Sequence, residues 1–336
     1  MTGKPPATVR QWLDAARSAR ELVPDGCGAL VPATAWDWQP AARHWEGWSK
    51  VGFIPFRGKP VVLSSARRRA LAAVFEALDD LPELRCVPSR LGPDMLFTLY
   101  LPDATDLREL MSERPAAVHD HGLAWLARAA TVDTVLRAAL KEAGVTATPF
   151  PVADRYRDAV AALERLLGPT GLPPTLPRAA LSSESLLFWD PKAANFIVPS
   201  ARRDALGEPD GPLPYKIDLD LMFYECPLSL QILLVLFVFP VASWQEDNRS
   251  GEFGDLLLLA HRTGARLGVT GEAIDGMLVY HLVRNFVSAA ADPSAYGMAK
   301  ARALAPLLIE ASDRALLTGL KKPAHERLRK WVTNGG

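Results

Sequence analysis

With 336 residues, 49% of them hydrophobic and 23% charged, the sequence has the make-up of an ordinary globular chain, too long for one simple core and too short for three domains. Its 38 basic residues balance 38 acidic ones, and this zero formal charge gives no electrostatic ground for binding nucleic acid or an anionic membrane. Cys27, Cys86 and Cys226 are scattered, with no Cys-x-x-Cys and no histidine cluster beside them, which argues against a disulfide framework or structural zinc and for a reducing, cytoplasmic setting.

The N-terminal stretch MTGKPPATVRQWLDAARSAREL lacks the apolar core of a secretion signal, and its TVRQWLDAARSAREL portion has helical spacing from a Thr8 cap. A tryptophan-rich stretch follows, in which Trp36, Trp38, Trp45 and Trp48 suit packing of this helix on a β segment better than ligand stacking. KVGFIPF and KPVVLSS read as short strands separated by a turn at Arg57-Gly58-Lys59. ARRRALAAVFEALDDL reads as a helix with Leu71, Val74, Phe75 and Leu78 on one face, and RCVPSRL and DMLFTLYL as two further strands.

From there the pattern turns helical, with AAVHDHGLAWLARAATVDTVLRAALKEAG predicted as one helix and ADRYRDAVAALERLLG as the next. His119 and His121 open the first of these; lacking a partner cluster, they read as a solvated N-terminal turn rather than a metal site. A proline-rich link, PTGLPPTLPRAAL, leads to LLFWDPKAANFIVPS, read as two strand pieces around a loop at Asp190. ARRDALGEPDGPLP is a turn-rich excursion, YKIDL another strand, and after Asp220 only helices are expected. The apolar run from Leu228 to Trp244 is interrupted by Gln231 and Pro240 and falls short of the roughly 20 residues that span a bilayer, so it reads as a buried helix. Cys226 beside it reads as a small core residue. The fold class expected is α+β, divided into a helical extension (1–30), a β-rich part (31–101) and a large helical part with a few strands (102–336).

Asp190, Lys192 and Asn195, followed after a hairpin by Asp218 and Asp220, give the order D-x-K-x-x-N … I-D-x-D. Metal-assisted phosphoryl transfer needs such a set: a carboxylate to orient an acceptor hydroxyl, and hard oxygen ligands for Mg2+ bridging the phosphates. Asp and Asn also cap turns between buried strands, but the added lysine and the later acidic pair favour the chemical reading. A D-x-D glycosyltransferase site at Asp218 and Asp220 is the remote alternative, since no repeated βα pattern precedes it.

Asp190-Pro-Lys-Ala-Ala-Asn195 resembles the catalytic loop, and Ile217-Asp218-Leu219-Asp220 the metal segment, of the aminoglycoside phosphotransferase and choline kinase group of protein-kinase-like enzymes. The resemblance covers roughly Lys50 to Ala290 and is strongest in the second half. It implies a two-lobed protein-kinase-like fold, with 31–101 as the nucleotide-binding lobe, 102–336 as the catalytic lobe, and an ATP cleft between them. It implies that Asp190 acts on the acceptor hydroxyl, that Lys192 meets the moving phosphate, and that Asn195 and Asp218 hold Mg2+ with Asp220 in support. MLFTLYLPDATDLREL resembles the hinge strand, whose backbone at Leu99 to Leu101 would bond adenine. FEALDDLPELRCVP resembles the helix carrying the glutamate that pairs with the phosphate-binding lysine, here Glu76.

The sequence also departs from that group. Phe188 stands where its loop histidine is expected, followed by Trp189, and CPLSLQ lacks the structural aspartate. Ser64 occupies the lysine position, and only Gly47 and Gly52 stand where a glycine-rich loop is expected. Arg57, Lys59 or the run Arg67 to Arg69 would then supply the missing cation, Arg57 first. The expected function is Mg2+-dependent transfer of the ATP γ-phosphate to a small-molecule hydroxyl on an antibiotic, amino alcohol, sugar or biosynthetic intermediate. The alternative is a kinase-fold binding protein that has lost catalysis.

Overall fold

The computed structural model describes residues 22–24, 30–32, 36–39, 47–51, 54–60, 65–79, 81, 84, 86, 89–91, 95–99, 104–110, 115–181, 184–185, 191, 193–199, 214–216, 224–237, 250–314, 317 and 320–334. The N-terminal helix expected from Thr8 lies outside them.

Strands β1 (Leu22–Pro24) and β2 (Leu30–Pro32) form an antiparallel ribbon. A five-stranded antiparallel sheet follows, built from β3 (Trp36–Gln39), β4 (Gly47–Val51), β5 (Ile54–Pro60), β6 (Ser89–Leu91) and β7 (Met95–Leu99) in the order β3-β4-β5-β7-β6. The turn expected at Arg57-Gly58-Lys59 is not there: all three residues lie inside β5, and the chain reverses between Val51 and Ile54 instead. Gly58 sits opposite Gly47 on one side and Phe97 on the other, so this glycine belongs to a ladder, where strands interrupted by glycine approach closely. Of the expected strand KPVVLSS, Lys59 and Pro60 end β5, and residues 61–64 lie outside the described residues.

Helix α1 (Ser65–Asp79) buries Leu71, Val74, Phe75 and Leu78, the face its spacing predicts. After β8 (Ala104–Asp106) and the one-turn α2 (Leu107–Leu110), the long helix expected next is two: α3 (Pro115–Thr131) and α4 (Asp133–Glu142). The break has a local cause. The Thr131 hydroxyl donates to the Arg128 carbonyl at 2.7 Å, while the Val132 carbonyl accepts from Val135 and Leu136 and starts a new helix with Asp133 in its first turn. Helix α1 packs on α4 and on β6.

Strand β9 (Thr148–Pro149) and helix α5 (Val152–Leu167) precede the proline-rich link and a 3-10 turn at Arg178–Leu181. Then come β10 (Glu184–Ser185), β11 (Phe196–Pro199), β12 (Tyr215–Lys216) and β13 (Tyr224–Pro227). The last corrects the expectation of helices alone after Asp220: Tyr224-Glu225-Cys226-Pro227 continues a sheet. Helix α6 (Leu228–Leu236) is buried at all nine positions, as the apolar run predicts, and Cys226 is core. No described helix is long and apolar enough to cross a membrane.

Helices α7 (Ser250–Arg266), α8 (Gly271–Ala290), α9 (Ala295–Asp313) and α10 (Lys322–Asn334) complete the order. The Thr270 hydroxyl accepts from the Ala273 amide and the Ser294 hydroxyl from the Gly297 amide, two side-chain caps where α8 and α9 begin. Helix α8 packs against α5, α6, α7 and α9 and is the axis of the larger apolar cluster. A second cluster gathers α1, α2, α3 and α4 around Ala193, Phe196 and Val198, and Tyr224 packs against both. The described residues are thus mainly helical with small sheets, antiparallel except where β9 pairs parallel with β13, which agrees with the α+β expectation.

Candidate functional site

Four short strands define the site. Residues 186–195 leave β10 and enter β11; residues 217–223 leave β12 and enter β13. β10 pairs antiparallel with β13 (Ser185 opposite Cys226), and β11 with β12 (Phe196 opposite Lys216). Paired Cα atoms in such ladders lie about 4.5–5.5 Å apart. The two stretches carrying the candidate acidic and amide residues are therefore fastened to each other at both ends.

Each fastening has its own support. The 3-10 turn Ala193–Asn195 delivers Asn195, only 5% exposed, to the start of β11. β11 also pairs with β8 (Ile197 opposite Asp106), and α2 packs on the turn. Beneath it the Trp125 ring meets Phe196 edge-on at 5.3 Å and its Nε1 donates to the Leu84 carbonyl at 2.7 Å, tying α3, the chain after α1 and β11 into one packing unit. Lys216 is fully buried, its Nζ 5.8 Å from the Phe196 ring centroid, and it bridges in strand fashion to Cys86. At the other end Arg137 on α4 bonds Asp133 at 2.8 Å and Glu225 of β13 at 3.2 Å, and the Ser185 hydroxyl of β10 donates to Asp133 at 3.3 Å. Phe150 extends this end, its amide donating to the Glu225 carbonyl at 2.7 Å and its ring meeting Tyr224 edge-on at 5.7 Å.

Of the residues predicted from the sequence, Asn195 is placed as a buried carboxamide at the mouth of this frame. Asp190, Lys192, Asp218, Asp220 and Leu101 lie outside the described residues. Arg57 occupies the middle of the five-stranded sheet, between Trp48 and Thr98, and Leu99 ends β7 opposite Phe56, one residue past the stretch that β6 pairs. Glu76 is on the exposed face of α1. His119 and His121 are buried, not solvated, because the first turns of α3 pack inward; Gly122 lies so close to α6 that a Cβ there would meet Val235 at 2.7 Å. Burial pushes both imidazoles down from their usual range, partly offset by the charge of Asp120. Among the described residues no group of three metal-ligating side chains occurs.

Sequence reasoning missed Trp125, Arg137 and Lys216. Helical spacing placed Trp125 in an amphipathic helix without singling it out, and nothing in a two-residue strand signals that a lysine is enclosed.

The chain matches no family model and no curated protein. Among solved structures it is similar to choline kinase LicA from Streptococcus pneumoniae, at 10% identity over 91% of this chain and 100% of that one, with a TM-score of 0.48. It is similar to a glucosamine kinase in complex with glucosamine, ADP and inorganic phosphate at 16% identity over 91% and 84%, with a TM-score of 0.45. It is also similar to a choline/ethanolamine kinase family protein from Mesorhizobium loti at 15% identity over 95% and 98%, with a TM-score of 0.42.

Proposed function

We propose that this chain is a protein-kinase-like phosphotransferase that moves the γ-phosphoryl group of ATP to a hydroxyl of a small molecule, in a cleft between a β-rich lobe (31–101) and a helical lobe (102–336). The observation that carries this reading is the double fastening of residues 186–195 to residues 217–223. Asp218 is two residues beyond Lys216, hence within about 7 Å of its Cα whatever its conformation, and Lys216 is the cross-strand partner of the residue after Asn195. The proposed donor set would suit Mg2+: the buried carboxamide of Asn195 and the carboxylates of Asp218 and Asp220 are hard oxygen ligands by type, and no sulfur or imidazole donor is among them. When bound there, Mg2+ would neutralise phosphate charge.

In this reading Asp190 orients the acceptor hydroxyl and accepts its proton. Lys192 holds its ammonium toward the transferring group, Asn195 and Asp218 hold the metal, and Asp220 supports them. Leu99 and Leu101 offer backbone groups to the base, and Arg57 supplies the phosphate-facing cation, with Glu76 as its candidate partner.

A second reading, a kinase-fold binding protein without catalysis, is favoured by Ser64 at the lysine position and by Glu76 on the exposed face of α1. Thermal unfolding with ATP, with and without Mg2+, separates the two. A metal-dependent rise in Tm is expected for the phosphotransferase. No response to nucleotide with or without metal overturns it.

A further inference from the structure

Tyr280 lies on α8, fully buried, and its hydroxyl has no partner in hydrogen-bond geometry. Arg284 is four residues further on, on the same helical face and half-buried. Helix α5, which packs along α8, brings Arg155 to the same place, its guanidinium over the Phe150 ring at 4.4 Å. Among the described residues neither arginine forms an ion pair. Burial pushes the Tyr280 phenol up, while the charge of Arg284 and then that of Arg155 pull it back, Cys226 opposes them, and the closeness of the Arg284 guanidinium to the phenol oxygen lowers it further.

We propose that Arg155, Arg284 and the Tyr280 hydroxyl form an anion site that takes a phosphate or phosphate-monoester group. A half-buried guanidinium without a counter-charge, beside an enclosed hydroxyl without an acceptor, is a donor set that an oxyanion would satisfy. The cation–π contact fixes Arg155 through the face of its guanidinium and leaves its N–H edges free to donate. Two planar forks and one hydroxyl, approaching from two helices, match the several oxygens of a tetrahedral phosphoryl group better than the two coplanar oxygens of a carboxylate. The site is made of α5, α8 and the Phe150 turn, contains none of the residues assigned to phosphoryl transfer, and does not depend on that assignment.

The test is isothermal titration of the full chain with inorganic phosphate at constant ionic strength and with ADP and Mg2+ present to occupy any nucleotide site, with succinate in a parallel arm. Wild type is expected to bind one phosphate, and Arg284→Gln and Arg155→Gln to lose at least tenfold in affinity. Tyr280→Phe is expected to weaken phosphate binding while leaving Tm without phosphate unchanged or higher, because it removes an unsatisfied buried group; a packing role would instead lower Tm. Absent phosphate binding in wild type, unchanged affinity in both arginine variants, or equal binding of succinate would overturn the assignment.

Discussion

In the five-stranded sheet, β4 with β5 and β5 with β7 each pair over five residues, and the ladder itself fixes Arg57 and Leu99. Around residues 186–195 and 217–223, β10 and β12 are two residues long, too short to hold a register by themselves. There the positions are set from outside, by Trp125 under Phe196, by Arg137 across Asp133 and Glu225, and by α6 behind β13. A backbone-positioned region tolerates side-chain change, whereas a region positioned by distant helices transmits it, and the candidate catalytic residues depend on the second kind.

The harshest way to test that contrast is Trp125→Ala. It removes the ring against Phe196 and the bond to Leu84, so a loss of about 3–5 kcal/mol in urea unfolding is expected, with weakened Mg-ATP binding in the surviving folded fraction. Retained stability would mean that the short strands hold themselves.

Acid probes the other support. His281 on α8 donates from Nε2 to the carbonyl of Phe237, the residue just after α6, and burial pushes its pKa down to about 4 from 6.5. The unfolded chain therefore binds the extra proton first. The contribution is complete above about pH 6.5 and fades as pH falls toward 4, by up to roughly 3 kcal/mol. Urea midpoints for wild type and His281→Gln should converge on acidification; parallel curves would exclude His281 as the cause.

Asp190→Ala should leave the fold intact and lower turnover at least ~100-fold, because positioning and proton acceptance go together. Turnover within a few-fold of wild type would remove Asp190 from the chemistry. The gentlest intervention falls on the sheet: Arg57→Ala should raise the Michaelis constant for ATP a few-fold without changing Tm, since the ladder does not need its side chain. If Arg57, Lys59 and Arg67 variants all leave that constant unchanged, the sheet contributes no phosphate cation and the binding-protein reading gains.

Where one residue type dominates a stretch, the sequence was legible. The apolar spacing of Leu71, Val74, Phe75 and Leu78 gave the buried face of α1, and the run from Leu228 gave α6. It misled where a single residue carries two meanings. Gly58 reads as a turn by composition, but it is a ladder residue because Gly47 stands opposite; His119 and His121 read as solvated because local pattern does not show that α6 covers them. At the candidate site, Asn195 was singled out by its spacing to Asp190, whereas the supports of the surrounding strands were invisible: Trp125 reaches β11, and Arg137 and Asp133 reach β13 and β10, over separations that only the folded chain closes.

Helix α6 is buried at every position, its two polar residues Ser229 and Gln231 included, and β13 runs into it without an intervening loop. Local opening there would bare every face at once, so its amides should be among the slowest in the protein to exchange with solvent. The far end of residues 217–223 is therefore anchored to an immobile post. Any closing motion around a bound ligand has to be made by the elements that come toward it, and a spin label on β13 would report stillness while labels elsewhere move.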